Sequence, residues 1–127
     1  MMGVPTFYTR LLTNKKFNKE ITKNMRLFIS GSAPLLTETH KEFEYRTGHK
    51  ILERYGMTET NMITSNPYIG ERKAGTVGMV LEDVVIRIAD LEIEEEVKKN
   101  GDIGVVEVKG PNVFKGCLLY TSPSPRD

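Results

Sequence analysis

The sequence predicts an α/β fold in which a parallel strand–helix–strand unit is followed by an antiparallel β region. Three observations carry that prediction. A compact apolar run, Arg26-Leu27-Phe28-Ile29-Ser30, ends in Gly31-Ser32, as a buried strand feeding a glycine turn does. Residues Leu36 to Thr47 follow helical spacing, with Leu36, His40 and Phe43 on one face and Gly48 at the C-terminal cap position. Past Asn66-Pro67 the pattern changes to strand alternation, with Val84, Ile86 and Ile88 set against Val85, Arg87 and Ala89.

The other elements come in chain order. Pro5 suits the first turn of a short helix, where its missing N–H would be unpaired anyway. Phe7 and Leu11 give that helix an apolar face through Leu12. Thr13 to Asn24 is polar and lysine-rich, a loop with a short surface helix. Lys50 to Arg54 is the second strand, and the order strand–helix–strand implies a parallel pair with a right-handed crossover. Thr76-Val77-Gly78 opens a strand. Leu91 to Asn100 is a charged excursion closed by the turn pair Asn100-Gly101. Ile103 to Lys109 returns as a strand, and Gly110-Pro111-Asn112 is a turn.

Bulk properties exclude several classes. With 127 residues and a net charge of +1, opposite charges interspersed, the chain lacks the signature of a nucleic-acid or anionic-membrane binder. No apolar run is long enough for a membrane span. The single cysteine, Cys117, rules out a disulfide framework and a cysteine metal site.

The chemistry concentrates in Glu53-Arg54-Tyr55-Gly56-Met57-Thr58-Glu59-Thr60, placed by the pattern at a strand tip, where α/β sheets bind ligands. Tyr55 can stack on a base, and Gly56 lets a ligand approach the backbone. Thr58 offers a hydroxyl to a phosphate oxygen, and Glu59 is a hard oxygen ligand suited to Mg²⁺. The plain alternative is a strand-to-loop turn in which Thr58-Glu59 cap the next segment. His40 reads as packing, His49 as a surface residue, and Glu92 to Lys99 as a solvated charge run.

Five spaced segments together resemble the adenylate-forming acyl-CoA synthetases. They are Gly3-Val4-Pro5-Thr6-Phe7-Tyr8, Ser30-Gly31-Ser32-Ala33-Pro34-Leu35, Tyr55-Gly56-Met57-Thr58-Glu59-Thr60, Gly75-Thr76-Val77-Gly78, and Gly101-Asp102-Ile103-Gly104 with Val106 to Pro111. Glu53 to Pro67, Gly70-Glu71-Arg72 and Gly110 to Gly116 are most similar to the malonyl-CoA synthetase branch. Leu81-Glu82-Asp83 departs from the Leu-Pro-Gly usual between these strands.

The resemblance implies part of the N-terminal domain of an enzyme that activates a carboxylate with ATP and passes the acyl group to coenzyme A. It implies a nucleotide site made by Ser32, Ala33, Pro34, Tyr55, Gly56, Met57 and Thr58. Thr58 and Glu59 would act on the phosphates, Glu59 through Mg²⁺. It further implies Arg10, with Ser30 as a second donor, for the distal carboxylate of malonate or methylmalonate, since a guanidinium can grip both oxygens. The expected organisation is 1–68 as a nucleotide- and acyl-binding α/β region and 69–116 as a β-rich subdomain. Residues 117–127 resemble the translation of a sequencing-library adapter and are set aside as a non-native tail. The family's phosphate loop, ribose-binding aspartate and catalytic lysine are expected outside this sequence, so the piece alone is expected to be inactive. Another acyl- or aryl-CoA ligase, a carrier-loading adenylation domain, or a non-catalytic nucleotide-binding module remain open alternatives. The compartment stays open between cytoplasm and mitochondrion.

Overall fold

The computed structural model describes residues 1–90 and 101–117. The charged excursion at 91–100 and all of the tail beyond Cys117 lie outside the described residues. The elements run β1 (Met2–Gly3), α1 (Pro5–Thr13), α2 (Lys19–Thr22), β2 (Ile29–Ser30), α3 (Thr37–Thr47), β3 (Leu52–Met57), β4 (Asn61–Ser65), β5 (Met79–Val80), β6 (Val85–Ala89) and β7 (Val105–Lys109). A five-stranded sheet has the order β1-β2-β3-β4-β5, and β6 pairs with β7 in a separate antiparallel ribbon. β1, β2 and β3 run parallel, with Ile29 opposite Leu52 and Ser30 opposite Glu53, as the strand–helix–strand pattern requires. β4 and β5 join antiparallel, so the sheet changes from parallel to antiparallel at β3.

The core lies between this sheet and the helices. Tyr8, Phe17, Phe28, Leu35, Phe43 and Ile51 form one buried cluster. Phe43 is its centre, meeting the ring of Tyr8 edge-on at 5.3 Å and that of Phe28 at 4.9 Å. Such edge-to-face pairs add roughly 0.5–1.5 kcal/mol each beyond area burial. α1 turns a different face inward from the one its spacing suggests. Tyr8 is buried with Leu11 and Leu12 against it, and Phe7 is exposed. The reason is polar: the Tyr8 hydroxyl donates to the Ile29 carbonyl at 2.5 Å, which locks that face onto β2. Burial pushes the Tyr8 phenol up to about 12.

α3 begins one residue later than expected, because Leu36 is its N-cap and is exposed rather than packed. Its end is as expected, with Gly48 at φ 76° in the left-handed cap. Arg46 near that end reaches the Leu12 carbonyl in the last turn of α1 and the Asn14 and Phe17 carbonyls of the α1–α2 connection, and ties the helices together. His49 is half-buried rather than a surface residue, with its ring edge-on to Phe28 and Nε2 at 3.2 Å from the Thr22 carbonyl.

The largest departure is at β3, which continues through Tyr55, Gly56 and Met57 instead of ending at Arg54. β4, which the polar run Asn61-Met62-Ile63-Thr64-Ser65 did not reveal, pairs with it as a hairpin. The register slips between Tyr55 and Gly56, leaving Ile63 as the extra residue of a bulge, fully buried. Gly56 is required there. A Cβ on it would lie 2.2 Å from the Asn61 carbonyl oxygen and 2.9 Å from the Met62 Cα. The bareness of Gly56 therefore serves strand packing.

Candidate functional site

A cleft of about 320 Å³ opens beside β3, within the range of roughly 300–1,000 Å³ typical of small-ligand sites. Three segments wall it: Ser30 with Ser32 to Leu35, Glu53 to Gly56, and Gly75 to Val77. Of the residues expected to bind nucleotide or acid, Ser30, Ser32, Ala33, Pro34, Tyr55 and Gly56 meet in this one space. Met57, Thr58, Glu59 and Arg10 are not among its walls. The cleft flanks the strand because β3 runs on past Arg54, so the motif presents its side and not a tip.

Each wall has a physical support. Ser32 adopts φ 67°, a left-handed conformation uncommon for a residue with a side chain, and strain of this kind gathers at ligand sites. Ser30 is 1% exposed and its hydroxyl has no hydrogen-bond partner among the described residues, leaving a donor and acceptor at the cleft wall. Glu53, 6% exposed, meets the Nδ1 of the equally buried His40 at 3.1 Å. His40 is thus a partner for a cleft carboxylate and more than packing. The third wall is held by Asn66, whose side-chain amide donates to the carbonyls of Glu53 (3.2 Å) and Thr76 (2.7 Å). Its Oδ1 accepts from the Lys73 amide at 3.3 Å. Gly78 makes this approach possible. It sits at φ 81°, and a Cβ there would lie 2.2 Å from the Asn66 nitrogen and the Ser65 carbonyl.

Sequence reasoning missed Leu35, Glu53, Arg54, Gly75, Thr76 and Val77 as cleft residues. The signal was available, since Glu53-Arg54 and Gly75-Thr76-Val77 both lie in the motif segments. Neither type pattern nor spacing says that they converge. Arg54 is the one cationic residue among the cleft walls.

Thr58, Glu59 and Thr60 form the three-residue turn joining β3 to β4, with the Thr60 amide donating to the Met57 carbonyl at 3.3 Å. Asn61 comes next at φ 54°, the left-handed residue that three-residue hairpins use. Thr58 is exposed and Glu59 half-buried. Glu59 has no ion-pair partner among the described residues, and no cluster of three metal-ligating side chains occurs among them. One free carboxylate fits the habit of Mg²⁺, which takes one or two carboxylates together with substrate phosphates and water. Arg10 is exposed in the last turn of α1. No helix among the described residues is long and apolar enough to cross a membrane.

The mixed sheet carries the motif hairpin at its parallel-to-antiparallel junction, with the cleft beside it. The AMP-binding enzyme family model matches residues 1–118, and the chain belongs to that family. Several of the relatives are malonate–CoA ligases, beside CoA ligases of other acids. The chain is 43% identical over 121 residues to a malonate–CoA ligase of Arabidopsis thaliana, covering 89% of this chain and 19% of that protein. It superimposes on ATP-bound MatB from Rhodopseudomonas palustris with a TM-score of 0.86 at 63% identity, covering 91% of this chain and 23% of that one. A malonyl-CoA ligase in a ternary product complex with methylmalonyl-CoA and AMP gives a TM-score of 0.72 at 39% identity, covering 89% and 24%. The chain therefore spans only about a fifth of the curated relatives it matches, 20% and 19% for two of them.

Proposed function

We propose that this chain is the nucleotide- and acyl-binding segment of a malonate–CoA ligase that also takes methylmalonate. The carrying observation is the convergence of Ser30, Ser32, Ala33, Pro34, Tyr55 and Gly56 on one cleft. The similarity to malonate ligases supplies the substrate class. Tyr55 would lie against the adenine of ATP with the Ser32–Pro34 loop along its other side. The acid carboxylate then attacks the α-phosphorus, forming the acyl-adenylate as pyrophosphate leaves. The thiol of coenzyme A next attacks the acyl carbon and AMP departs. The task of these residues is alignment and charge neutralisation rather than covalent chemistry.

Thr58 would donate to an α-phosphate oxygen, and Glu59 would hold the magnesium. When bound, Mg²⁺ supplies neutralisation of phosphate charge. Arg10 is the proposed receiver of the distal carboxylate, with Ser30 as second donor. Arg54 is the competing cation, because it lines the cleft where Arg10 does not. The test is ATP–pyrophosphate exchange by the full-length enzyme with malonate, methylmalonate and acetate. Strong exchange with both dicarboxylates and little with acetate is expected. Preference for acetate would replace the substrate with another acyl or aryl acid. No exchange with any acid would favour a non-catalytic nucleotide-binding module.

Within that assay, Glu59→Gln is expected to lower exchange on the order of 100-fold or more, the scale of losing one charge-stabilising group. Arg10→Met should abolish dicarboxylate use and spare acetate. If Arg54→Met does so instead, the role passes to Arg54.

A further inference from the structure

The turn that carries Glu59 is gripped from 52 residues away in sequence. Asn112, in the turn after β7, donates through Nδ2 to the Thr60 carbonyl at 2.7 Å. The Phe114 amide donates to the Glu59 carbonyl at 2.8 Å. Two successive carbonyls of a three-residue connection are thus held by one strap, Gly110 to Phe114, itself closed by the Val113 amide on the Gly110 carbonyl at 3.3 Å. The strap is shaped for this contact. Asn112 Oδ1 is buried without a hydrogen-bond partner among the described residues, an arrangement that costs free energy and calls for an explanation. A Cβ at Gly110 would stand 2.5 Å from that same Oδ1 and 2.8 Å from the Asp83 carbonyl oxygen. Glycine at 110 is what leaves room for the amide that presents its N–H₂ to Thr60.

We propose that Asn112 is a positioning residue for Glu59: the strap fixes the backbone of the turn and so aims the Glu59 carboxylate at the magnesium of bound ATP. This rests on the reading of Glu59 as the metal ligand. Glu59 has no ion-pair partner among the described residues to orient its side chain, so its direction is set by its own backbone. That backbone is held by the Met57–Asn61 pair of the hairpin on one side and by the strap on the other.

The test is calorimetric binding of ATP to the full-length enzyme with and without Mg²⁺, a readout independent of turnover. Mg²⁺ should tighten ATP binding by the unsubstituted enzyme, and Glu59→Gln should remove that tightening. Asn112→Asp keeps the shape but cannot donate to the Thr60 carbonyl. It should reduce the Mg²⁺-dependent tightening about tenfold, the size of one lost hydrogen bond, while Mg²⁺-free ATP binding changes less than about twofold. Gly110→Ala presses on the Oδ1 of the same amide and should act in the same direction, which keeps the test decisive if Asn112→Asp does not fold. A role confined to stability would weaken ATP binding equally with and without Mg²⁺, and that result overturns the proposal. So does full retention of the tightening in both strap variants while Glu59→Gln loses it, which leaves the Glu59 reading intact. Full retention in Glu59→Gln itself overturns the metal-ligand reading and the strap's role with it.

Discussion

The parallel part of the molecule and the β6–β7 ribbon are built on different principles. Around β1, β2 and β3, aromatic side chains from α1 and from the segments entering α2 and β2 close on Phe43 of α3, and the cluster excludes water. The ribbon has a full antiparallel ladder from Val85–Lys109 to Ala89–Val105, yet of its strand residues only Ala89 is buried. Val85, Val105 and Val106 are exposed. One region is held by burial and the other by backbone pairing, and two of the three cleft walls come from the first. The segment after the ribbon, Gly110 to Phe114, in turn supports the motif turn.

The largest expected effect separates these two modes. Phe43→Ala should cost about 3–5 kcal/mol, since it opens a cavity at the centre of the cluster, whereas Val106→Ala should change stability by less than about 0.5 kcal/mol. Denaturant unfolding of the full-length enzyme reads both. Equal costs would erase the distinction. Next comes Gly78→Ala, where a Cβ would strike three backbone atoms at 2.2 Å and φ is left-handed. A loss of about 2–3 kcal/mol is expected, with weaker ATP binding because the Gly75–Val77 wall moves.

Tyr8 gives the comparison a pH dependence. Its phenol ionises near 10 in the unfolded chain and is pushed up to about 12 by burial in the folded one. The folded state therefore keeps a proton that the unfolded state releases. Its stabilising contribution is complete below pH 10 and is lost as pH rises through 12. Unfolding measured from about pH 8.5 upward should show this loss, and Tyr8→Phe should flatten it. The smallest effect lies at the join between the two regions. The Val84 amide donates to the Leu81 carbonyl at 3.2 Å, with Asp83 at φ 63° in a turn position that glycine fills best. Asp83→Gly should gain up to about 1 kcal/mol. A loss would mean the Asp83 side chain contributes to the join.

Much of this was legible in the residues. The apolar run into Gly31, the helix ending at Gly48 and the alternation from Val84 to Ala89 name their elements directly, because burial and capping leave local marks. The hairpin was not legible. Gly56 reads as a loop residue, yet it stands in mid-strand because β4 passes too close for a Cβ, and no local pattern records that approach. Asn61 to Ser65 is polar enough to hide a strand whose Ile63 is buried. The cleft was half legible: its motif residues stand out, but Thr76 reaches it through Asn66, a contact set by tertiary geometry. Asn112 and Arg46 escaped notice for the same reason, since each acts on carbonyls far away in sequence.

The central claim is that the cleft bounded by the Ser32–Pro34 loop and Tyr55 receives adenine. Photolabelling the full-length enzyme with an azido-adenine analogue of ATP, with peptide mapping of the adducts, tests it most directly. Adducts are expected in the peptides holding Ser32 to Pro34 or Tyr55, suppressed by excess ATP. ATP-protected labelling confined to other parts of the enzyme would contradict it.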